Sequence, residues 1–350
     1  MEKQQVIIST NLEASLTAAV SECEHDRTLV LVDETTEELC LPLLGGIDCL
    51  HGAERIVIRA TDEHKTLESL THVWECLQRG GATRHSLLIN LGGGMVTDLG
   101  GFAASTFKRG INYINIPTTL LSMVDASVGG KTGINFGGLK NEIGVFNNAS
   151  SVILDTKFLQ TLDHENVCSG YAEMLKHGLI ATEDMWSELL RYDLDAPDYC
   201  QLSRMLADSV QVKARIVGQD PMEKGLRKAL NLGHTVGHAF ESLALQRRPI
   251  LHGYAVAYGL VCELYLSSVK TGFPIDKMRQ TVRFISENYG QMPITCDDYP
   301  TLLELMTHDK KNVAGEINFT LLGGVGDIRI NQTATKEEIL EALDFYREGC

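Results

Sequence analysis

Two histidines lie four residues apart in the second half of the chain, and a third follows soon after. His234 and His238 belong to the segment 231–241, and His252 belongs to the short sequence Leu-His-Gly. Because 3.6 residues make one helical turn, His234 and His238 would face the same side of a helix. With a carboxylate, such histidines can bind a catalytic zinc ion, although a histidine pair on a helix can also be purely structural. The spacing alone leaves both interpretations open.

Three consecutive glycines at 92–94 follow an apolar run and precede a helical pattern. Glycines at such a turn let a ligand approach the backbone, and the first amides of the helix attract phosphate. The turn is not a complete GxGxxG, so close packing explains it equally well. Asp33 ends an earlier apolar run, where an acid can bind ribose hydroxyls, but its position favours an N-cap aspartate.

Lys131 follows two glycines in the segment 124–133. The run Gly-Gly-Lys-Thr is similar to part of the phosphate loop of nucleotide triphosphatases, but Asp125 stands where that loop needs glycine. We therefore exclude a nucleotide triphosphatase and expect a lysine presented from a flexible loop. Lys140 and Asn141 follow shortly afterwards, and positive point charges of this kind can hold a phosphate group.

The overall charge requires any anion site to be local. The 350 residues include 31 Lys and Arg against 46 Asp and Glu, a net charge of −15, which disfavours nucleic-acid and anionic-membrane partners. The nine cysteines are scattered without a CxxC pair, and there is no apolar run of signal-peptide or membrane-span length. These features predict a cytoplasmic protein with reduced thiols. If its substrate is anionic, a local cluster of Lys and Arg must bind it against the overall charge.

Alternating apolar runs and helical patterns predict a parallel sheet covered by helices in the first half of the chain. The predicted strands are 28–32, 55–59, 87–91 and 113–116, and 65–79 is a predicted helix. After about residue 155 the predicted helices are 166–182, 184–192, 199–218, 224–245, 252–271, 274–289 and 299–307, with extended segments at 316–322 and 327–330. We predict an α/β plus all-α protein: a Rossmann-like parallel-sheet domain at 1–160, then a mainly helical metal-binding domain at 161–350.

Several short motifs occur together and in one order along the chain. They are 124–133, 140–144, 171–176, 225–227, 231–241, 251–253 and 308–311. With them the chain resembles the 3-dehydroquinate synthase family of the sugar-phosphate cyclases, from about residue 29 to about residue 330. The resemblance implies NAD in the first domain, a divalent metal (zinc or cobalt) in the second, and a homodimer with its active site between the domains. One departure is Tyr254, where the family usually has glutamate.

The resemblance also implies the residues of the site. The implied metal ligands are Glu173, His234 and His252. The implied NAD contacts are Asp33, Asp62, Lys65, Gly93, Gly94, Asp98, Thr118, Thr119, Asp125, Lys131 and Lys140. The implied substrate contacts are Arg109, Lys131, Asn141, Lys213, Arg227, Asn231, His238 and Lys310 or Lys311, and the implied catalytic residues are Lys131, Lys176, Lys213, Asn231 and His238. Arg109 would reach into the partner subunit's site, and Glu223 would be a supporting acid.

The implied reaction converts 3-deoxy-D-arabino-heptulosonate 7-phosphate into 3-dehydroquinate and phosphate. It would proceed by transient oxidation with NAD, phosphate elimination, re-reduction and aldol cyclisation. Two alternatives are a sibling cyclase that makes a valiolone or a deoxy-inosose, and a metal-dependent NAD polyol dehydrogenase, which would accumulate NADH. If 224–245 is one helix, Arg227 shares a face with Asn231 and His234, although the spacing alone favours an exposed arginine. The resemblance implies that Arg227 binds a substrate carboxylate that the siblings' substrates lack.

Overall fold

The computed structural model describes residues 4–307 and 317–349. The chain divides into two compact units, Met1–Asp163 and His164–Cys350. Lys310 and Lys311, which the resemblance implies as substrate contacts, lie outside the described residues. Within those residues, no helix combines the length and the apolar character needed to cross a bilayer.

The first unit is built on a six-stranded parallel sheet. Its elements in chain order are β1 (Gln5–Ile8), α1 (Leu12–Glu22), β2 (Thr28–Asp33), α2 (Glu34–Leu39), β3 (Glu54–Ile58), α3 (Leu67–Arg79), β4 (Leu87–Gly92), α4 (Gly94–Thr106), β5 (Asn112–Pro117), β6 (Lys131–Phe136), β7 (Leu139–Phe146) and β8 (Ser151–Leu154). The strand order is β1-β8-β5-β4-β2-β3, and every pairing in this sheet is parallel. The predicted Rossmann-like sheet is confirmed.

The strand order reverses between β2 and β4. From β2 the chain passes to β3 on one side and then crosses to β4 on the other. Open α/β sheets bind ligands at such a reversal, beyond the carboxyl ends of the strands. Those ends are Asp33 and Gly92, so the glycines at 92–94 lie where this rule places a ligand.

Lys131 is the first residue of a β-hairpin, so the prediction that a flexible loop presents this lysine is wrong. β6 and β7 form an antiparallel two-stranded ribbon in which Gly133 pairs with Gly144. A Cβ atom on Gly144 would lie 2.1 Å from the Thr132 carbonyl oxygen, so the glycines serve close strand contact. Glycine in a strand often marks such an approach, which the sequence pattern did not separate from loop glycine.

The second unit is mainly helical, as predicted. It contains α5 (His164–Ala181), α6 (Glu183–Leu190), α7 (Tyr199–Gln219), a 3₁₀ segment (Leu226–Asn231), α8 (His234–Leu245), α9 (His252–Lys270), α10 (Ile275–Tyr289), α11 (Tyr299–Thr307), β9 (Asn318–Gly324), β10 (Asp327–Thr333) and α12 (Lys336–Gly349). The buried helix α9 packs against α5, α8, α10 and α12, while β9 and β10 form a hairpin. This arrangement places the first turns of α8 and α9 beside α5.

The predicted single helix over 224–245 is wrong. A 3₁₀ segment ends at Asn231, Gly233 takes a left-handed conformation with φ of 79°, and α8 begins at His234. The buried carboxylate of Glu263 on α9 accepts hydrogen bonds from the backbone amides of Gly233 (2.6 Å) and Val236 (3.1 Å). An acid at a helix N-terminus satisfies amides that have no partner within the helix. The break therefore depends on a contact between helices, and Arg227 does not share a helix with His234.

Candidate active site

Helix α5 carries two of the predicted site residues on one face. Glu173 and Lys176 are three residues apart, their side chains are fully buried, and the Lys176 ammonium contacts the Glu173 carboxylate. α5 also packs against α7, α9 and the 3₁₀ segment Leu226–Asn231. Helix α5 therefore lies at the centre of the candidate site in this unit.

Two imidazoles point at the Glu173 carboxylate. Glu173 Oε1 lies 3.3 Å from His234 Nε2 and 3.7 Å from His252 Nε2. The His238 ring lies beside them, and potential ligand atoms of His234, His238 and His252 fall within 4.8 Å of one another. The structure thus brings together the three implied metal ligands and places His238 next to them.

These residues fit a divalent metal ion. Both carboxylate oxygens of Glu173 are buried and make no hydrogen bond of acceptable geometry, although charged and ring nitrogens lie close to them. In a tetrahedral zinc site with bonds of about 2.0–2.1 Å, neighbouring ligand atoms are about 3.4 Å apart. The separations of 3.3 Å and 3.7 Å match that spacing, and one carboxylate with two imidazoles leaves a position open for substrate.

The surroundings of the three implied ligands affect the pKa of each one differently. Burial opposes ionisation of Glu173, but Lys176 and His234 hold the pKa of its carboxyl well below the usual range. Burial and the charge of Lys176 lower the pKa of His234 to about 3, against the attraction of Glu173. Burial alone would lower the pKa of His252, but Glu241 and Glu173 raise it to about 10. His234 is therefore a neutral ligand at pH 7, whereas a metal ion must displace a proton from His252.

Close helix packing brings these ligands together. A Cβ atom on Gly259 of α9 would lie 1.9 Å from the Gly233 carbonyl oxygen before α8. A Cβ atom on Gly253, the residue after His252, would lie 1.8 Å from the Ser169 carbonyl oxygen on α5. No side chain fits at either glycine. Gly259 therefore allows α9 to lie close to the segment just before His234, and Gly253 allows α9 to lie close to α5, which carries Glu173.

Three cations of the second unit are buried rather than spread over its surface. Lys176, Lys213 and Arg227 are 1%, 5% and 3% exposed, and they lie on α5, α7 and the 3₁₀ segment. Lys176 has an anionic partner in Glu173. The three cations are candidates for the local positive charge that an anionic substrate would need in a chain of net charge −15.

The backbone around Arg227 is fixed by an adjacent acid. Asp220 accepts hydrogen bonds from the amides of Lys224, Gly225 and Arg227, and Arg227 Nη1 donates to the Pro221 carbonyl oxygen at 2.7 Å. Asn231 Nδ2 donates to Glu223 Oε1 at 3.1 Å. Glu223, the implied supporting acid, therefore contacts one of the implied catalytic residues, and its role stays a prediction.

The first unit offers a cradle at the start of α4. Gly93 caps this helix without a side-chain hydrogen bond. A Cβ atom on Gly93 would meet Thr119 at 3.2 Å, and one on Gly94 would meet Ala126 at the same distance. The amide of Thr118 donates to the Gly92 carbonyl oxygen, and Asp125 lies in the following π-helical turn, Ser122–Ala126. Open amides at a helix N-terminus between small groups fit the pyrophosphate of NAD.

Lys65 joins two carboxylates beside this cradle. Its ammonium is 3.1 Å from Asp98 Oδ2 on α4 and 3.2 Å from Asp62 Oδ1, and Lys140 reaches Asp62 Oδ2 at 3.4 Å. Burial raises the pKa of Asp98 to about 6, although Lys65 opposes this. Burial would lower the pKa of Lys65, but Asp98 and Asp62 raise it. Lys65 stays charged, so four of the implied NAD contacts form one electrostatic group.

The structure gives less specific support for the roles of the other implied residues. Asp33 caps α2 through a hydrogen bond from the Thr36 amide, the role that its position favoured, and its contact with NAD stays a prediction. Arg109, Lys131 and Asn141 are exposed. Arg109 and Asn141 have φ of 72° and 51°, a left-handed conformation that is uncommon for residues other than glycine.

Two buried acids were missed by the sequence analysis. Glu241 contacts His252, and its spacing from His234, two helical turns, could have indicated a shared face. Glu263 caps α8 from a different helix, and nothing in the local sequence signals that contact.

Replacing Lys65 by methionine should weaken NAD binding. The substitution removes the charge that holds Asp98 and Asp62 together, and a charge-assisted contact of ~1.5 to 3 kcal/mol corresponds to a loss of roughly 10- to 150-fold. NAD affinity can be measured by isothermal titration, with Lys157→Met as an exposed control in the same unit. Equal NAD affinity in the Lys65 variant and the wild type would remove Lys65 from the cofactor site.

Two family models match consecutive parts of the chain. The model of the 3-dehydroquinate synthase N-terminal part matches residues 55–169, and that of the C-terminal part matches residues 170–312. A 3-dehydroquinate synthase of Parabacteroides distasonis is 54% identical over 350 residues, which cover 100% of this chain and 99% of that protein. Another from Bacillus pumilus is 34% identical, covering 99% and 96% of the two chains.

Two solved structures superimpose on nearly the whole of this chain. A 2-epi-5-epi-valiolone synthase from Streptomyces hygroscopicus, with NAD⁺ and Zn²⁺ bound, superimposes with a TM-score of 0.87 at 26% identity, covering 100% of this chain and 98% of the other. A 2-deoxy-scyllo-inosose synthase in complex with carbaglucose-6-phosphate, NAD⁺ and Co²⁺ gives a TM-score of 0.84 at 22% identity, covering 99% and 96%. The second likeness concerns the fold alone.

Proposed function

The chain belongs to the 3-dehydroquinate synthase family, and on that premise we propose that its site converts 3-deoxy-D-arabino-heptulosonate 7-phosphate into 3-dehydroquinate and phosphate. The observation that carries the proposal is the buried carboxylate of Glu173, which faces two imidazoles. Three buried cations on neighbouring elements support it. The enzyme is an NAD- and metal-dependent carbon–oxygen lyase, which releases phosphate without net oxidation.

The two cofactors have separate sets of residues in this proposal. Glu173, His234 and His252 hold the metal ion, while the glycine turn before α4 and the Lys65 group hold NAD. When bound, NAD supplies reversible oxidation of a substrate hydroxyl, and the metal ion supplies Lewis-acid polarisation of an oxygen. The residues of the chain orient the two cofactors and exclude water from them. The burial of Glu173, His234 and Lys65 supports this role.

The substrate's two anionic groups call for different side chains. Arg227 and Lys213 bind the carboxylate, because a guanidinium forms a fork of two parallel hydrogen bonds to it. Lys131 and Asn141 bind the phosphate group. Lys176, in contact with Glu173, stabilises negative charge that develops on the substrate oxygen, and His238 is placed to move a proton. Asn231, held by Glu223, orients the substrate.

Phosphate release without NADH separates this function from that of a polyol dehydrogenase. With substrate, NAD and zinc, we expect one phosphate per substrate consumed, measured by a phosphate colorimetric assay. Absorbance at the NADH wavelength should not rise, because the cofactor is regenerated in each turnover. Stoichiometric NADH without phosphate would contradict the lyase assignment.

We also propose that the protein is a homodimer in the cytoplasm. Family membership supports the dimer, and the exposed, left-handed Arg109 is a candidate to serve the partner subunit's site. The cysteines of the described residues are all free thiols, which suits a reducing compartment.

Mixing two inactive variants tests whether the site is shared. Arg109→Ala and Lys131→Ala chains should each be inactive alone as homodimers. If Arg109 acts in the partner's site, a heterodimer contains one site free of both substitutions, so statistical exchange should restore up to about a quarter of wild-type activity. Subunit exchange is verified by mass spectrometry of the mixed dimer. No recovered activity after verified exchange would assign Arg109 to its own chain's site.

A further inference from the structure

His252 has a polar partner on each of its two ring nitrogens. Its Nε2 lies 3.7 Å from Glu173 Oε1, on the side of the proposed metal ion. Its Nδ1 lies 3.3 Å from Oε2 of Glu241, which is 7% exposed and belongs to α8. The ring is therefore held between two carboxylates that come from two different helices.

We propose that Glu241 is a positioning residue for the metal ion: its carboxylate accepts a hydrogen bond from the Nδ1–H group of His252 and so directs Nε2 at the metal ion. The inference rests on the metal site of the proposed function. It assigns a role to a residue that does not itself ligate the ion.

The chemistry of the two groups fixes the direction of this hydrogen bond. An ionised carboxylate only accepts, so the shared proton belongs to Nδ1, and a neutral imidazole with its proton there has its lone pair on Nε2. A carboxylate in this position also increases the basicity of the ring toward the metal ion.

The other histidine ligand shows the same pattern with a different acceptor. His234 Nδ1 lies 3.1 Å from the Leu232 carbonyl oxygen, and its Nε2 faces Glu173. In both rings the nitrogen away from Glu173 contacts an oxygen. For His234 that oxygen is part of the backbone, so Glu241 is the member of this pair that substitution can remove.

The close packing of α8 and α9 keeps Glu241 within reach of His252. Glu241 lies two turns after His234 on α8, and His252 is the first residue of α9. A Cβ atom on Gly237 of α8 would lie 2.8 Å from the Ala255 carbonyl oxygen of α9, so the two helices contact each other through their backbones here. The carboxylate is thereby directed at the ring by packed helices rather than by a loop.

Metal affinity tests the proposal directly. Glu241→Ala removes both the acceptor and its charge, and we expect a 10- to 100-fold weaker zinc affinity, the usual range for such partners, measured by competition with a chromogenic chelator. Glu241→Gln keeps an acceptor of the same size but loses the charge, so its loss should be smaller than that of the alanine variant. The visible spectrum of the cobalt-loaded protein should shift in both variants, because the orientation and basicity of a ligand change.

Glu287→Gln is the matched control, because it removes one negative charge from an exposed ion pair in the same unit. Unchanged zinc affinity and cobalt spectrum in both Glu241 variants would overturn the proposal, and so would an equal loss in the Glu287 control. If the wild-type protein itself bound no metal ion, the metal site of the proposed function would fail instead.

Discussion

Replacing His234 by alanine is expected to weaken zinc binding by roughly 100- to 1000-fold and to abolish phosphate release. Structural zinc sites bind with about 10–16 kcal/mol shared over four ligands, so one ligand accounts for ~2.5 to 4 kcal/mol. His234 is 8% exposed and lies 3.3 Å from the Glu173 carboxylate, so no solvent molecule easily replaces its nitrogen. Zinc content after gel filtration and activity with added zinc are the measurements.

His238→Ala is the matched variant for that experiment. Its ring is next to His234, with ring centroids 5.3 Å apart, but the contacts with Glu173 come from His234 and His252. We expect this variant to keep its zinc and to lose roughly 100- to 10,000-fold in kcat, as expected for removal of a proton-transfer group. Equal zinc loss in both variants would show that His238 is a ligand.

Replacing Arg227 by lysine should lower kcat/KM by roughly 30- to 1000-fold. Lysine keeps the charge but cannot reproduce the bidentate fork, and a lost charge-assisted contact of ~2 to 4 kcal/mol corresponds to that range. Arg227 is 3% exposed and its backbone amide is bound by Asp220, so the head group cannot shift freely to compensate.

NAD and zinc affinities should not change in the Arg227 variant, because the proposed role of Arg227 is to bind the substrate. Arg279→Lys, an exposed arginine on α10 of the same unit, is the control and should keep wild-type kinetics. A wild-type kcat/KM for Arg227→Lys would exclude bidentate binding of the substrate carboxylate at this residue.

The sheet and the helices of the second unit could be predicted because their hydrophobic patterns are local. β4 is buried throughout, and Leu70, Val73 and Leu77 of α3 are buried at helical spacing. β1 and β8 were missed because each has four residues, too few for a periodic pattern to stand out. The β6–β7 ribbon was missed because its glycines match loop chemistry equally well.

The break before α8 shows what a single sequence does not reveal. Asn231, Gly233 and His234 lie in one helical pattern, and only Glu263 on α9 shows why the chain turns there. The expectation that Arg227 shares a helix face with the metal ligands was therefore wrong in its geometry. Arg227 is nevertheless buried, on a segment that packs against α5 and α7, so its proposed role rests on tertiary packing.

The most direct test of the central claim is phosphate release from two substrates compared side by side. The wild-type protein, loaded with NAD and zinc, is given either 3-deoxy-D-arabino-heptulosonate 7-phosphate or sedoheptulose 7-phosphate, which lacks the carboxylate. We predict phosphate release from the first, without accumulation of NADH, and none above background from the second. Release from sedoheptulose 7-phosphate with none from the carboxylated sugar would contradict the proposed function.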